Sequence, residues 1–380
     1  MIMLLTRLRL RNIRNHRYSE LECPPGVILL WGENGAGKTS VLEAVAMLCT
    51  AQTFAAVPER SVVSRDASEM ELGGEFCTHR GVRHEVVYRF PRDGGRRKIE
   101  IDGAPLTSAA DLIGRFPLVT LSPDHGAVTA GSPAERRRFL DIVVSQVSHA
   151  YLLDLIEFRR ILRHRNALLA AHEKLTGRLR TELEPWDRAF AAAAVRIVRR
   201  RRSFIDAYRP YFLAVMRDIV GAREVPEFRY RQSVETDLER EKAADDLAAE
   251  LAARLPSDHA RRSTMIGPHR DDLEMLVNGM DVRTHASRGQ HKTLLISLKA
   301  GEWFFLNDHL DERPVFLLDD VFSELDDDRF GNILRLIPLL GQTFVTTANR
   351  TVLDRITHET TERALYQVEA GTVHRYMEAA

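Results

Sequence analysis

The chain has 380 residues, with 54 Lys and Arg against 54 Asp and Glu and a formal net charge of zero, a length that as a prior means two or three domains. Hydrophobic residues make up 44% and charged residues 28%, the composition of a globular protein with ample core. No apolar run approaches the ~20 residues that cross a bilayer, Met1 to Leu10 is too short and too basic for a signal peptide, and three cysteines without C-x-x-C spacing exclude a disulfide scaffold or zinc site, so a cytoplasmic, reducing compartment is expected.

Leu4 to Arg11 alternates apolar and basic residues, the pattern of a half-exposed strand with Arg7, Arg9 and Arg11 on one solvated face. Asn12 to His16 reads as a turn, and Pro24-Pro25-Gly26 as another. Val27 to Trp31 is an apolar run suited to a buried parallel strand. It leads into Gly32-Glu33-Asn34-Gly35-Ala36-Gly37-Lys38-Thr39, the G-x-x-x-x-G-K-[ST] phosphate-loop pattern, followed by Ser40 and helix formers to Leu48. The glycines let backbone N–H groups approach an anion. Lys38 reaches toward phosphate oxygens, the Thr39 hydroxyl is placed for Mg²⁺, and the helix N-terminus adds its dipole.

Glu71–Phe76, His84–Phe90 and Lys98–Ile101 read as an antiparallel meander, and Phe116–Leu121 as one more apolar strand. Composition changes at Gly131. Ser132-Pro133-Ala134-Glu135 is a helix start, with a capping Ser, Pro at the first position and Glu three residues after the Ser. From there to about Gly221 the spacing is helical, with breaks expected near Thr176-Gly177 and Glu184-Pro185, as two or three helices in an antiparallel hairpin. Between Gly131 and Arg223 stand 19 Lys and Arg against 10 Asp and Glu, so a neutral total does not exclude a polyanionic partner. Glu235 to Leu255 reads as a further, acidic helix. A second α/β section opens at Arg261, with a hairpin at Asn278-Gly279, a helix from His291, strands at Pro314–Asp320 and Thr343–Thr347, and a closing hairpin across Gly371.

Asp319 ends an apolar strand, where a Mg²⁺-holding carboxylate belongs beside a phosphate loop. Asp320 follows, placed to orient or deprotonate an attacking water. Ser287-Arg288-Gly289-Gln290 opens a helix and offers a second anion site. Alone it is an ordinary capped turn. In a chain that already has its phosphate loop, it suggests a trans arrangement in which two copies sandwich ATP.

The order of phosphate loop, helical insertion, S-x-G-Q and acidic strand resembles the ABC-type ATPase heads of the SMC and recombination families, and most closely the RecF gap-repair family. The likeness rests on Asn12-Ile13-Arg14-Asn15, Gly32 to Ser40, Gly131-Ser132-Pro133 with Arg136 to Asp141, Arg165 to Leu169, Gly267-Pro268-His269-Arg270-Asp271-Asp272, Ser287 to Gln290 and Leu317 to Asp326, essentially the whole chain. It implies an α/β, ABC/SMC-type P-loop ATPase head with an antiparallel β subdomain and an inserted helical arm. The expected division is 1–130 and 261–380 for the two lobes of the head and 131–260 for the arm. It further implies an ATP-dependent homodimer that binds DNA and acts with RecO and RecR to load recombinase at single-strand gaps. By the same resemblance Lys38 and Thr39 bind phosphate and Mg²⁺, Asp319 holds Mg²⁺, and Asp320 takes the place of the catalytic acid. Ser287 to Gln290 form the trans signature, Ser323 and Asp326 lie at the dimer seam, and Arg14 approaches ATP. Asp320 is shorter than the usual Glu, His291 stands where the family commonly repeats Gln, and a switch histidine is missing after Thr347, so slow hydrolysis serving as a timer is expected.

Arg199, Arg200, Arg201 and Arg202, with Arg159 and Arg163, are the candidate DNA contacts on the arm, a reading that competes with an ordinary solvated face. A transporter ATPase is disfavoured by the long basic insertion, and a nuclease by the want of an extra acidic cluster. Another SMC-like ATPase, or a scaffold that uses ATP only as glue, is the alternative.

Overall fold

The computed structural model describes residues 3–54, 57–221, 224–322 and 327–376. It divides into two compact units, one of Met1–Gly126, Tyr211–Arg223 and Ser287–Ala380, the other of Ala127–Pro210 and Glu224–Ala286.

The first unit opens with β1 (Leu4–Ile13), β2 (His16–Glu22), β3 (Val27–Trp31), α1 (Lys38–Thr50), β4 (Glu69–Cys77), β5 (Arg83–Pro91), β6 (Lys98–Ile101), β7 (Ala104–Pro105) and β8 (Leu118–Leu121). All but β3 and β8 form an antiparallel sheet in the order β2-β1-β4-β5-β6-β7. Alternation does what the pattern in β1 promised: Leu8 and Leu10 are fully buried, while Arg7 and Arg9 pair with Glu20 and Glu85 on the outer face. Arg89 continues that face, 2.5 Å from Glu71 and 3.2 Å from Glu100, so opposite charges satisfy one another across strands. The inner face packs on α1, whose Val41, Val45 and Leu48 share one buried cluster with Leu8, Leu72 and Tyr88. The strand β2 escaped the sequence reading because two of its three buried residues are polar, His16 and Ser19.

In the second unit lie α2 (Ala127–Ala130), α3 (Pro133–Val147), α4 (His149–Ala171), the first part of α5 (Gly177–Val220), β9 (Pro226–Arg231), α6 (Ala243–Arg261), β10 (Asp272–Val277), β11 (Met280–Asp281) and α7 (Val282–His285). Helices α4 and α5 make the expected antiparallel hairpin. His164 stacks on Trp186 at 4.7 Å, Phe158 meets Phe190 at 4.9 Å, and Arg196 pairs with Asp154 at 2.8 Å, partners that recede from the turn in step. The break expected at Glu184-Pro185 does not occur: α5 runs through Pro185 and Pro210. An internal proline removes one backbone hydrogen bond, and buried Leu179, Leu183 and Phe190 hold the helix on both sides of Pro185. A break does fall at Ser148, whose hydroxyl caps α4 by accepting from Tyr151 N. The acidic helix begins at Ala243, later than the expected Glu235, because Thr236 donates through its N–H and hydroxyl to Glu250 and folds that segment back onto α6. Strands β9 to β11 form a sheet in the order β11-β10-β9.

The first unit resumes with α8 (Arg288–His309), β12 (Val315–Asp319), α9 (Asp327–Leu336), β13 (Thr343–Thr347), α10 (Arg350–Glu359), β14 (Arg363–Glu369) and β15 (Thr372–Tyr376). These strands join β3 and β8 in a sheet ordered β15-β14-β3-β13-β12-β8, parallel except at β15. Register sets Leu30 beside Thr346 and Thr346 beside Asp319. The carboxyl ends of β3, β13 and β12 therefore stand in a row, where ligands of parallel sheets bind. Among the described residues no helix is long and apolar enough to cross a membrane.

Candidate nucleotide site

The loop between β3 and α1 has the backbone that its glycines permit. Gly35 and Gly37 adopt φ of 81° and 116°, conformations that side chains disfavour. At Gly32 a Cβ would lie 2.2 Å from the Val368 carbonyl oxygen. Lys38 Nζ donates to the carbonyl oxygens of Gly32 and Glu33, both at 2.8 Å, and so spans its own loop. Burial lowers its pKa, opposed by Asp320 and Asp319.

Asp319 closes the site from β12. Its carboxylate accepts from the Thr39 hydroxyl at 3.0 Å and from the Thr346 hydroxyl at 2.7 Å. The Thr346 hydroxyl in turn accepts from Asp320 N at 3.0 Å, so one buried threonine joins both aspartates. Burial raises the Asp319 pKa; the two hydroxyls oppose this, and Asp320 and Glu43 reinforce it. Asp320 is also raised by burial, against Lys38 and Lys292. Its backbone is left-handed, φ 47°, a strained state of the kind that clusters at functional sites. Among the described residues no three His, Cys, Asp or Glu gather as a metal cage. A cage is not what Mg²⁺ requires, since it takes one or two protein oxygens and completes its octahedron with phosphate and water. Neighbouring ligands of such an ion sit about 3 Å apart, and the 3.0 Å from Thr39 Oγ1 to Asp319 Oδ1 fits.

Residues 4–373 match the family model for the RecF/RecN/SMC N-terminal domain. The DNA replication and repair protein RecF of Chloroherpeton thalassium is 36% identical over 355 residues, 92% of this chain and 95% of that relative. The chain belongs to the RecF family. A solved structure of the recombination mediator protein RecF-ATP in the RecFOR pathway matches with a TM-score of 0.89 at 28% identity, over 99% of this chain and 98% of that one. An Smc head bound to the C-winged helix domain of ScpA, 14% identical with a TM-score of 0.54 over 98% of this chain and 96% of that one, shares the fold alone. The ABC/SMC-type ATPase head read from the sequence is therefore the fold of this chain.

The remaining RecF-type positions are disposed as follows. Arg14, in the turn from β1 to β2, holds the wholly buried Glu43 of α1 through Nε at 2.6 Å and Nη2 at 2.7 Å. Ser287 and Gln290 form a reciprocal capping box at the start of α8: Ser287 Oγ accepts from Gln290 N at 3.2 Å, and Ser287 N donates to Gln290 Oε1 at 2.9 Å. Within one chain this is the ordinary capped turn, with Ser287 and Arg288 exposed. A Cβ at Gly289 would lie 2.5 Å from Arg329 Nη1, so a side chain there would have to displace the arginine tip. Ser323 and Asp326, expected at the dimer seam, lie outside the described residues.

The arm corrects one expectation. Arg201 is 2% exposed. Its guanidinium donates to Asp141 at 2.7 Å, Tyr151 Oη at 2.9 Å and the Pro268 carbonyl at 2.8 Å. It is an internal clasp, not a DNA contact. The other arginines lie nearer the surface but are engaged: Arg199 with the carbonyls of Leu238 and Arg240, Arg200 with Asp154, Arg202 with Glu239 and Gln232, Arg159 with Asp141, and Arg163 with the Arg159 carbonyl. The segment Gly267 to Asp272 proves equally structural. Asp272 receives Arg136 through Nε and Nη2 at 2.8 and 2.9 Å, and Asp271 accepts from Tyr230 Oη and from Ser233 N and Oγ. Thr346 and Glu43 had no signal in the sequence, because their partners are set by tertiary register.

Proposed function

We propose that the chain is an ATP-dependent DNA-binding protein of recombinational gap repair and replication restart. It dimerises on ATP, helps RecO and RecR load recombinase on single-stranded DNA, and hydrolyses ATP slowly. The observation that carries the ATPase reading is the Thr39–Asp319–Thr346–Asp320 chain of hydrogen bonds beside Lys38. The name and the ATP-bound state of the relatives support the repair role.

In this reading Lys38 leaves its two loop carbonyls for the β and γ phosphates. Thr39 and Asp319 hold Mg²⁺, which when bound withdraws charge from the phosphates. Asp320 orients or deprotonates the attacking water. A second copy brings Ser287 to Gln290 to the γ phosphate, and Ser323 and Asp326 border the seam. Arg159, Arg163, Arg199, Arg200 and Arg202 contact the DNA backbone without sequence preference. Each is already paired, so DNA must displace those partners; phosphate contacts release counterions from the DNA, so affinity falls with salt.

Single-turnover hydrolysis with and without DNA tests the reading: slow phosphate release, faster with DNA, is expected. No release under either condition leaves a scaffold held together by ATP, a reading favoured by the short side chain of Asp320 where the family usually has Glu.

A further inference from the structure

Behind the phosphate loop, three successive carbonyls are pinned by two turns. Asn15 Nδ2 donates to Gly35 O at 3.2 Å and to Ala36 O at 2.9 Å. Gly371 N, from the β14–β15 turn, also donates to Ala36 O at 2.9 Å. His16 Nε2 lies 3.0 Å from Gly37 O, which also accepts from Ser40 N at 3.0 Å and Val41 N at 3.4 Å in the first turn of α1. The fit is tight: a Cβ at Gly37 would lie 2.4 Å from His16 Nε2 and 2.8 Å from Asn15 Oδ1, and one at Gly371 would lie 2.1 Å from Asn15 O.

A trans peptide is planar, so the carbonyl of one residue and the N–H of the next point in opposite directions. Holding Ala36 O and Gly37 O toward the turns therefore aims the N–H groups of Gly37 and Lys38 away from them, into the concave side of the loop. The N–H of Ala36 has a different task and closes the turn onto Glu33 O at 3.2 Å. His16 suits its place. It is fully buried, and burial lowers its pKa, which favours the neutral ring. With the proton on Nε2 it donates to Gly37 O, and Nδ1 lies 2.9 Å from the Ser19 hydroxyl, whose proton is shared with Gly371 O at 3.2 Å.

We infer that Asn15 and His16 are positioning residues for the nucleotide phosphates, touching none of them and acting by fixing the direction of the loop N–H groups. The inference rests on the ATP-binding reading and deepens it. Three successive residues thus divide their tasks: Arg14 holds Glu43, whereas Asn15 and His16 hold the loop.

The test is MgATP affinity of the full chain by calorimetry for His16→Leu, His16→Gln, Asn15→Ala and, as control, Lys38→Ala. Glutamine keeps an Nε donor at comparable reach. Gly37 O keeps its two donors from α1, so loss of the His16 bond predicts about threefold weaker binding for His16→Leu, recovered largely by His16→Gln. Asn15 is exposed, so its replacement spares the core. Ala36 O keeps Gly371 N, and a loss of about threefold is expected. A merely structural role would lower the melting temperature of His16→Gln and His16→Leu together and leave affinity untouched. Parental affinity in Asn15→Ala and His16→Leu, or a His16→Gln protein as weak as His16→Leu, overturns the inference. If His16→Leu does not fold, Asn15→Ala decides. Parental affinity in Lys38→Ala instead refutes the ATP site itself.

Discussion

Replacing Arg201 separates a structural arginine from its neighbours in a run of four. In Arg201→Ala, Asp141 and the Pro268 carbonyl lose a cation that they meet at 2.7 and 2.8 Å, and Tyr151 Oη loses a donor at 2.9 Å. Removing one partner of a buried pair costs about 3–5 kcal/mol. Asp141 keeps Tyr151 at 2.5 Å and Arg159 at 3.2 Å, which places the expected loss near the lower end, about 3 kcal/mol. Lysine does not restore it, because a single ammonium cannot replace the planar fork that reaches these acceptors and Tyr230 Oη. Arg200, 36% exposed at its side chain and paired with Asp154, serves as the surface comparison, with an expected cost below about 1 kcal/mol. Urea unfolding followed through Trp186, with Trp31 and Trp303 changed to Phe in every protein compared, reports on the unit that holds Arg201. An Arg201→Ala protein that unfolds within about 1 kcal/mol of its parent, while its DNA binding loses salt dependence as a phosphate contact would, refutes the clasp.

Other outcomes follow from the same geometry. Thr346→Val removes the donor to Asp319 and leaves Asp320 N–H without its acceptor, so Mg²⁺-dependent hydrolysis falls steeply, while Thr346→Ser retains most of it; equal activity in Val and Ser would contradict this. Burial pulls the His269 pKa from 6.5 down to about 4, so the unfolded chain binds a proton between those values that the native chain refuses. Stability from this group is therefore complete above pH 6.5 and lost as pH falls toward 4, by about 3 kcal/mol, and His269→Gln flattens that slope in urea titrations. Asp319 has the opposite sign: burial raises its pKa above the ordinary 3.8, so its proton stabilises the ligand-free chain below that value and this is lost as pH rises through the folded pKa. Mg²⁺ must displace the proton, and the gap between MgATP and metal-free ATP affinity narrows on acidification at a pH above that of an ordinary aspartate. Asp319→Asn abolishes the gap.

The phosphate loop and its flanks were legible because each requirement is local: glycines where the backbone turns, an apolar strand before, helix formers after. The parallel strands were legible as short apolar runs, and β14–β15 as a hairpin, though nothing local says that β14 pairs with β3. Four consecutive arginines looked alike, yet a signal was present. Arg201 stands four and three residues after Ile197 and Val198 and three and four before Phe204 and Ile205, all buried, so it falls on the apolar stripe of α5. Pro185 misled because a local preference was outvoted by packing on both sides. The roles of Thr346, Asn15 and His16 depend on strands far apart in sequence, and no spacing within one segment encodes them.

Sedimentation with ATP and Mg²⁺, comparing Asp320→Asn with Lys38→Ala, bears most directly on whether two copies complete one nucleotide site. The account predicts that Asp320→Asn accumulates as a dimer that persists while ATP is present, and that Lys38→Ala stays monomeric. A monomeric Asp320→Asn protein that still binds MgATP at parental affinity would contradict it.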